Sequence, residues 1–204
     1  MAALADALLF AFAGWAGWVG LPFVVWIVAF FRNPERRPPP GDHVIVAPAD
    51  GRILSVLRLA PGPELGLGQE PHWKISIFMS IFDVHVNRMP CSGRVEALAY
   101  RPGKFFNASF DKASVENERM SIRLRAEGNS TRSAGIGVVQ IAGLVARRIE
   151  CDLEEGQSVC RGDRFGIIRF GSRLELFLPP DVRILVRGGQ AVKAGETAVA
   201  EFPC

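Results

Sequence analysis

The hydrophobic pattern changes character once along this chain. Residues 7–31 pass without a charge, long enough for a helix of roughly 37 Å, more than the roughly 30 Å of bilayer hydrocarbon. From residue 42 the apolar runs shorten and glycine punctuates them. Residues 43–47, 52–57, 73–79, 95–100, 121–125, 137–142, 165–170, 174–178 and 182–186 each read as a strand. No stretch beyond residue 42 sustains a helical period. The pattern predicts a mainly β body of sandwich or barrel type behind an N-terminal membrane segment.

That segment carries Trp15, Trp18 and Trp26 and fits either one tilted transmembrane helix or a shallow hairpin broken at Gly20-Leu21-Pro22. A cleaved signal peptide fits badly, because no basic residue precedes the run and the run is too long. Arg32, Arg36 and Arg37 follow it, so the positive-inside rule puts the body on the cytoplasmic face of the cell (inner) membrane. The expected organisation is an anchor (1–31), a stiff Pro/Arg linker (32–41) and a body (42–204).

Composition narrows the partners. Lys and Arg number 24 against 21 acidic residues, a formal charge of +3, too little to argue for nucleic acid. Arg outnumbers Lys by 20 to 4, which suits bound phosphate or acidic lipid. The four cysteines form no CxxC pair and have no His at ligand spacing, so no metal site is expected.

The body echoes itself. Asp50-Gly-Arg-Ile-Leu resembles Ser92-Gly-Arg-Val-Glu, and Gly156-Gln-Ser-Val-Cys-Arg-Gly162 resembles Gly189-Gln-Ala-Val-Lys-Ala-Gly195. Such Gly-x-x-Val-x-x-Gly spacing occurs in the biotinyl/lipoyl-like hammerhead sandwiches, and also in ordinary β-turns.

Few residues offer chemistry. His85 lies in Phe82-Asp-Val-His-Val-Asn-Arg-Met-Pro90, where Asp83, His85 and Asn87 fall on one face of an extended chain. Asp50 lies in Ala47-Pro-Ala-Asp-Gly51 directly after a strand, a setting that suits a turn residue as well as an acid. Gly171-Ser172 interrupts an apolar strand region, where glycine often marks a strained or closely approached backbone. With no Cβ, Gly171 leaves its carbonyl open to Ser172 Oγ, the arrangement that self-cleavage needs. Asp111-Lys-Ala113 is like the lipoylated tripeptide, but its polar flanks suit a solvated loop.

Together these segments resemble the short, membrane-anchored, archaeal-type form of the pyruvoyl-dependent phosphatidylserine decarboxylases. The resemblance rests on Phe30-Phe-Arg-Asn-Pro-Glu-Arg36, Ala47-Pro-Ala-Asp-Gly51, Phe82 to Pro90, Gly103-Lys-Phe-Phe-Asn-Ala108, Asp111 to Arg119 and Phe170-Gly-Ser172, in that order. It implies a zymogen that cuts itself between Gly171 and Ser172. The cut would leave a β chain (1–171) and an α chain (172–204) as a heterodimer, with a higher oligomer left open. Ser172 Oγ attacks the Gly171 carbonyl to give an ester. Elimination gives dehydroalanine, which hydrolyses to a covalent pyruvoyl group and ammonia. Asp50 and His85 are implied as the relay that activates Ser172, and His85 as a proton donor in the later decarboxylation of phosphatidylserine to phosphatidylethanolamine and CO2. Longer relatives carry a second histidine where this chain has Arg88, which cannot act as a base near neutral pH. The competing reading is a membrane-tethered biotinyl-like adaptor module without catalysis.

Overall fold

The computed structural model describes all residues except 1–3, 6, 8–10, 12, 13, 107, 109–115, 128–133, 145–147, 170 and 204. The Asp111-Lys-Ala113 motif and Phe170 therefore lie outside the described residues. The chain forms two compact units, Met1–Pro34 and Glu35–Cys204.

The first unit includes the helix α1 (Trp15–Phe30). It runs through Pro22 without a break at Gly20-Leu21-Pro22. Proline removes one donor from the ladder, and the bonds on either side carry the helix past it. At 16 residues α1 is roughly 24 Å long, and no helix among the described residues is long and apolar enough to cross a membrane. Trp18, Val19, Phe23, Val25 and Val28 are nevertheless exposed along it.

The second unit is mainly β, as the pattern predicts. Its largest part is an eight-stranded antiparallel sheet in the order β13-β2-β3-β11-β7-β6-β5-β9. These strands are β13 (Ala191–Val192), β2 (Gly51–Leu59), β3 (His72–Met79), β11 (Ser172–Leu178), β7 (Ala134–Ile141), β6 (Arg119–Ala126), β5 (Gly93–Arg101) and β9 (Ser158–Val159). Two three-stranded sheets complete the unit. One joins β1 (Val44–Val46), β14 (Ala198–Glu201) and β12 (Arg183–Ile184); the other joins β4 (Val86–Arg88), β10 (Arg164–Ile168) and β8 (Ile149–Cys151). Ile75 and Ile77 of β3, Leu174 and Leu176 of β11, and Ile136 and Val138 of β7 share one buried cluster with Ile45, Phe165, Ile168 and Val199 of the small sheets. The core thus lies on one face of the long sheet. Each fully buried Ile or Leu there contributes about 1.5–3 kcal/mol of transfer free energy.

The echo in the sequence is a repeat in the structure. Gly51 pairs with Val192 and Arg52 with Ala191, as Gly93 pairs with Val159 and Arg94 with Ser158. Ile53 donates to Gln190 O and Val95 to Gln157 O, each at 2.9 Å. Bulges fall at Ile53/Ser55 in β2 and at Val95/Ala97 in β5. The halves also bond each other reciprocally: Val46 N donates to Pro90 O and Arg88 N to Pro48 O, both at 2.9 Å. Half A comprises β1, β2 and β12–β14, half B comprises β4, β5 and β8–β10, and the long sheet reads alike from both ends about its β11–β7 centre.

Residues 35–41 of the linker belong to the second unit. Arg161 donates to Pro39 O at 2.8 Å and Val44 O at 2.9 Å, and also to Gly41 O. Four prolines keep this strap out of any ladder, so side chains fasten it.

Candidate active site

Gly171 separates two strands of different sheets. β10 belongs to a small sheet, whereas β11 lies at the centre of the long one. The chain must turn sharply between them, and Gly171 takes φ +64° to do so. Ser172 then starts β11 opposite Met79 and is wholly buried. Alternation puts Ser172, Leu174 and Leu176 on the core face. Arg173, Glu175 and Phe177 lie on the other face and are buried too.

On the core side Ser172 Oγ meets Met79 Sδ at 4.0 Å. A thioether is a weak acceptor, so this contact leaves the hydroxyl free to reorient. Asn87 Nδ2 donates to the same sulfur at 3.6 Å, and Gln140 Nε2 donates to Asn87 Oδ1 at 2.9 Å. On the far side Arg173 donates to Ser76 Oγ at 2.9 Å and pairs with Glu175 at 2.9 Å, while Lys74 pairs with Glu175 at 3.2 Å. The 3₁₀ turn Pro63–Leu65 lies beside Lys74 and Glu175, with its buried Leu65 packed against Val139 and Phe177. The residue after Ser172 is thereby clamped. Breaking such a buried pair from one side typically costs about 3–5 kcal/mol.

His85 ends the turn that follows β3 and is fully buried. Its Nδ1 lies 2.9 Å from Asp83 O. A carbonyl only accepts, so Nδ1 carries the proton, and in the neutral ring Nε2 bears the lone pair. Of the three residues expected on one face, His85 and Asn87 are fully buried and Asp83 is half-buried. Residues 80–83 form a turn in which Asp83 Oδ2 accepts from Ser80 N at 2.7 Å, so Asp83 caps its own loop.

Asp50 precedes Gly51, which abuts the backbone at Phe78 and Met79. Asp50 therefore sits at the same end of the sheet as Ser172, two strand spacings away, roughly 9–10 Å. Its Oδ1 accepts from Ala194 N at 2.7 Å and its Oδ2 from Arg36 at 2.9 Å. Arg36 also pairs with Glu196 at 3.0 Å. Arg88 donates to Gly162 O at 2.8 Å. Burial, then Arg164 and Arg36, pull its pKa below the usual guanidinium value, while Asp50 and Glu196 oppose that. Arg88 thus belongs to the charge cluster around Asp50, while its neighbour Asn87 shares Met79 Sδ with Ser172. The sequence reading missed Arg36, Glu196 and Gln140. Among the described residues no cluster of three His, Cys, Asp or Glu is placed to hold a metal ion.

A carbonyl group made from Ser172 fits this site. Residue 172 is fully buried, and the polar side chains linked to it through Met79 Sδ, Asn87 and Gln140, are uncharged.

The sequence profile of the phosphatidylserine decarboxylases matches residues 23–200. A phosphatidylserine decarboxylase proenzyme from Granulibacter bethesdensis is 52% identical over 188 residues, covering 92% of this chain and 75% of that protein. Its namesake from Paramagnetospirillum magneticum is 51% identical over 91% of this chain and 76% of its own length. A third, from Nitrobacter winogradskyi, is 50% identical over 98% of this chain and 79% of its own. The chain belongs to the phosphatidylserine decarboxylase family.

Proposed function

We propose that this chain is a proenzyme that cuts itself at Gly171-Ser172 and then decarboxylates phosphatidylserine to phosphatidylethanolamine. The observation that carries the reading is the buried Ser172, set directly after a left-handed glycine where the chain crosses from one sheet to another. Ser172 Oγ attacks the Gly171 carbonyl. His85 Nε2 takes the hydroxyl proton, and Asp50 supplies the fixed negative charge at this end of the sheet. The pyruvoyl group formed at residue 172 serves as the electron sink for loss of CO2 from the amino-acid head group. His85 remains to return a proton to the product.

After the cut, the chain 172–204 keeps β11, β12, β13 and β14. β11 stays bonded between β3 and β7, and β13 and β14 stay bonded to β2 and β1. These ladders favour a lasting heterodimer of the two chains. A membrane location is supported by the exposed apolar side chains of α1 and by Ile81, Phe82 and Leu144, exposed on the turns after β3 and β7 that flank Ser172. Deleting residues 1–34 is expected to shift the protein toward the soluble fraction, and unchanged partition in membrane flotation sinks that part.

The test is intact mass. The native protein should yield a 33-residue chain, 172–204, with a blocked amino terminus. Ser172→Ala should remain one chain without activity, and normal processing of that variant overturns the cleavage site.

A further inference from the structure

The core face of β7 runs Ile136, Val138, Gln140, and Gln140 is fully buried. Gln140 pairs with Leu174. That places it on the same face as Ser172 and one diagonal step away, Cβ to Cβ roughly 5–8 Å. Its Nε2 donates to Asn87 Oδ1, and Asn87 Nδ2 points at Met79 Sδ, against which Ser172 Oγ also rests. This chain fixes both amides. Turning them over would aim the Asn87 carbonyl at a sulfur that offers no proton. Gln140 Oε1 is left buried, accepting no hydrogen bond among the described residues.

A buried carbonyl in that condition costs stability, and an apolar residue would suit the position between Val138 and the sheet end. Its place on the core face, one diagonal step from residue 172, makes it an acceptor waiting for a donor. In the head group of the proposed substrate the ionised carboxylate and phosphate only accept; the amine alone brings N–H. We infer that Gln140 Oε1 receives an N–H of the substrate amine as it meets residue 172. Asn87 holds the amide in that orientation. Gln140 is then a specificity-determining residue for a primary amine, a claim that rests on residue 172 carrying the reacting carbonyl.

Gln140→Met removes the acceptor at similar length, and Gln140→Glu keeps an acceptor oxygen. Three readouts apply to the matured protein: yield of the 33-residue chain, melting temperature, and the rate at which cyanoborohydride fixes a soluble short-chain phosphatidylserine to residue 172, followed by mass. Gln140→Met is expected to mature and to melt within a few degrees of the parent, yet to capture the amine about 10- to 100-fold more slowly. Gln140→Glu should capture within a few-fold of native. Native capture by Gln140→Met overturns the inference, as does a parallel fall of melting temperature and capture in both variants. Should Gln140→Met not fold, Asn87→Leu leaves Gln140 in place but unanchored. Its capture is expected to slow several-fold, and native capture overturns the inference equally. A native protein that yields no 33-residue chain, or none that captures amine, fails the wider reading and this one with it.

Discussion

Halves A and B share a backbone and differ in what they bring to the site. In half A, Asp50 Oδ1 accepts from Ala194 N at 2.7 Å. In half B, Ser92 Oγ accepts from Arg161 N at 3.0 Å, the same bond at the matching position. One oxygen therefore suffices for the clamp, and turn chemistry does not account for a carboxylate. What Asp50 adds is its second oxygen and a charge, held by Arg36. The reverse holds for histidine. His43 and His85 occupy matching positions just before β1 and β4, but His43 is half-buried and His85 wholly so. Asp50 of half A and His85 of half B are the groups proposed to act on Ser172, and the counterpart of each in the other half supplies an internal control.

The largest effect should come from unmaking that asymmetry. Asp50→Ser copies half B, keeping an acceptor for Ala194 N while removing the charge. If the charge assists Ser172, self-cleavage should slow by about 10²–10⁴-fold, the usual contribution of a positioned acid or base. Ser92→Asp should cut at the native rate. Cleavage followed by gel electrophoresis decides: equal rates from Asp50→Ser and the parent reduce Asp50 to a turn clamp.

His85→Ala and His43→Ala form the second pair. Matured His85→Ala should turn over about 10²–10⁴-fold more slowly per pyruvoyl group titrated with a carbonyl reagent, and His43→Ala should match the parent. A native rate from matured His85→Ala assigns the proton to another donor.

The halves also differ in continuity. Half B lies wholly before residue 171, whereas the cut would divide half A, leaving β1 and β2 on one chain and β12–β14 on the other. Val159 in β9 and Val192 in β13 are matching buried positions. In the uncut Ser172→Ala background each Val→Ala should cost alike, roughly 1.5–2.5 kcal/mol. In the matured protein Val192→Ala should cost more, because strand β13 then belongs to a chain that can leave. Equal losses of melting temperature in both backgrounds break the comparison.

Much of this was legible in the sequence, because the nine long runs carry enough alternation to show period two. Strands β9 and β13 have two residues each, too few for a period, and only their Gly-x-x-Val-x-x-Gly frame marks them. Gln140 was legible in principle, as the one polar residue at a core-facing step of 136, 138, 140. Arg36 was not: beside a membrane-like run it reads as a topology signal, and only folding brings it to Asp50. The burial of Arg173, Glu175 and Lys74 was not legible either. Lys74 and Glu175 line a cavity with Glu64 and Leu65, which come from a segment distant in sequence.

The smallest effect concerns a thiol that half A lacks. Cys91 precedes Ser92, where half A has Ala49 before Asp50. Burial pushes the Cys91 thiol up to about 12 from its ordinary 9.0, with Arg161 pulling weakly the other way. The unfolded chain therefore releases this proton near pH 9 and the folded chain near 12. Below pH 9 both states hold it, and the group has no effect on stability. As the pH rises, the unfolded state binds fewer protons than the folded one, so stability falls. One unit above the unfolded value the loss is about 1.4 kcal/mol. Cys91→Ala, the residue of half A, should abolish this contribution at the expense of a small cavity. The measurement is denaturant unfolding of both proteins at pH 8 and pH 10. The stability gap should shift in favour of Cys91→Ala by about 1.4 kcal/mol, and an unchanged gap means that burial leaves the Cys91 thiol near its ordinary value.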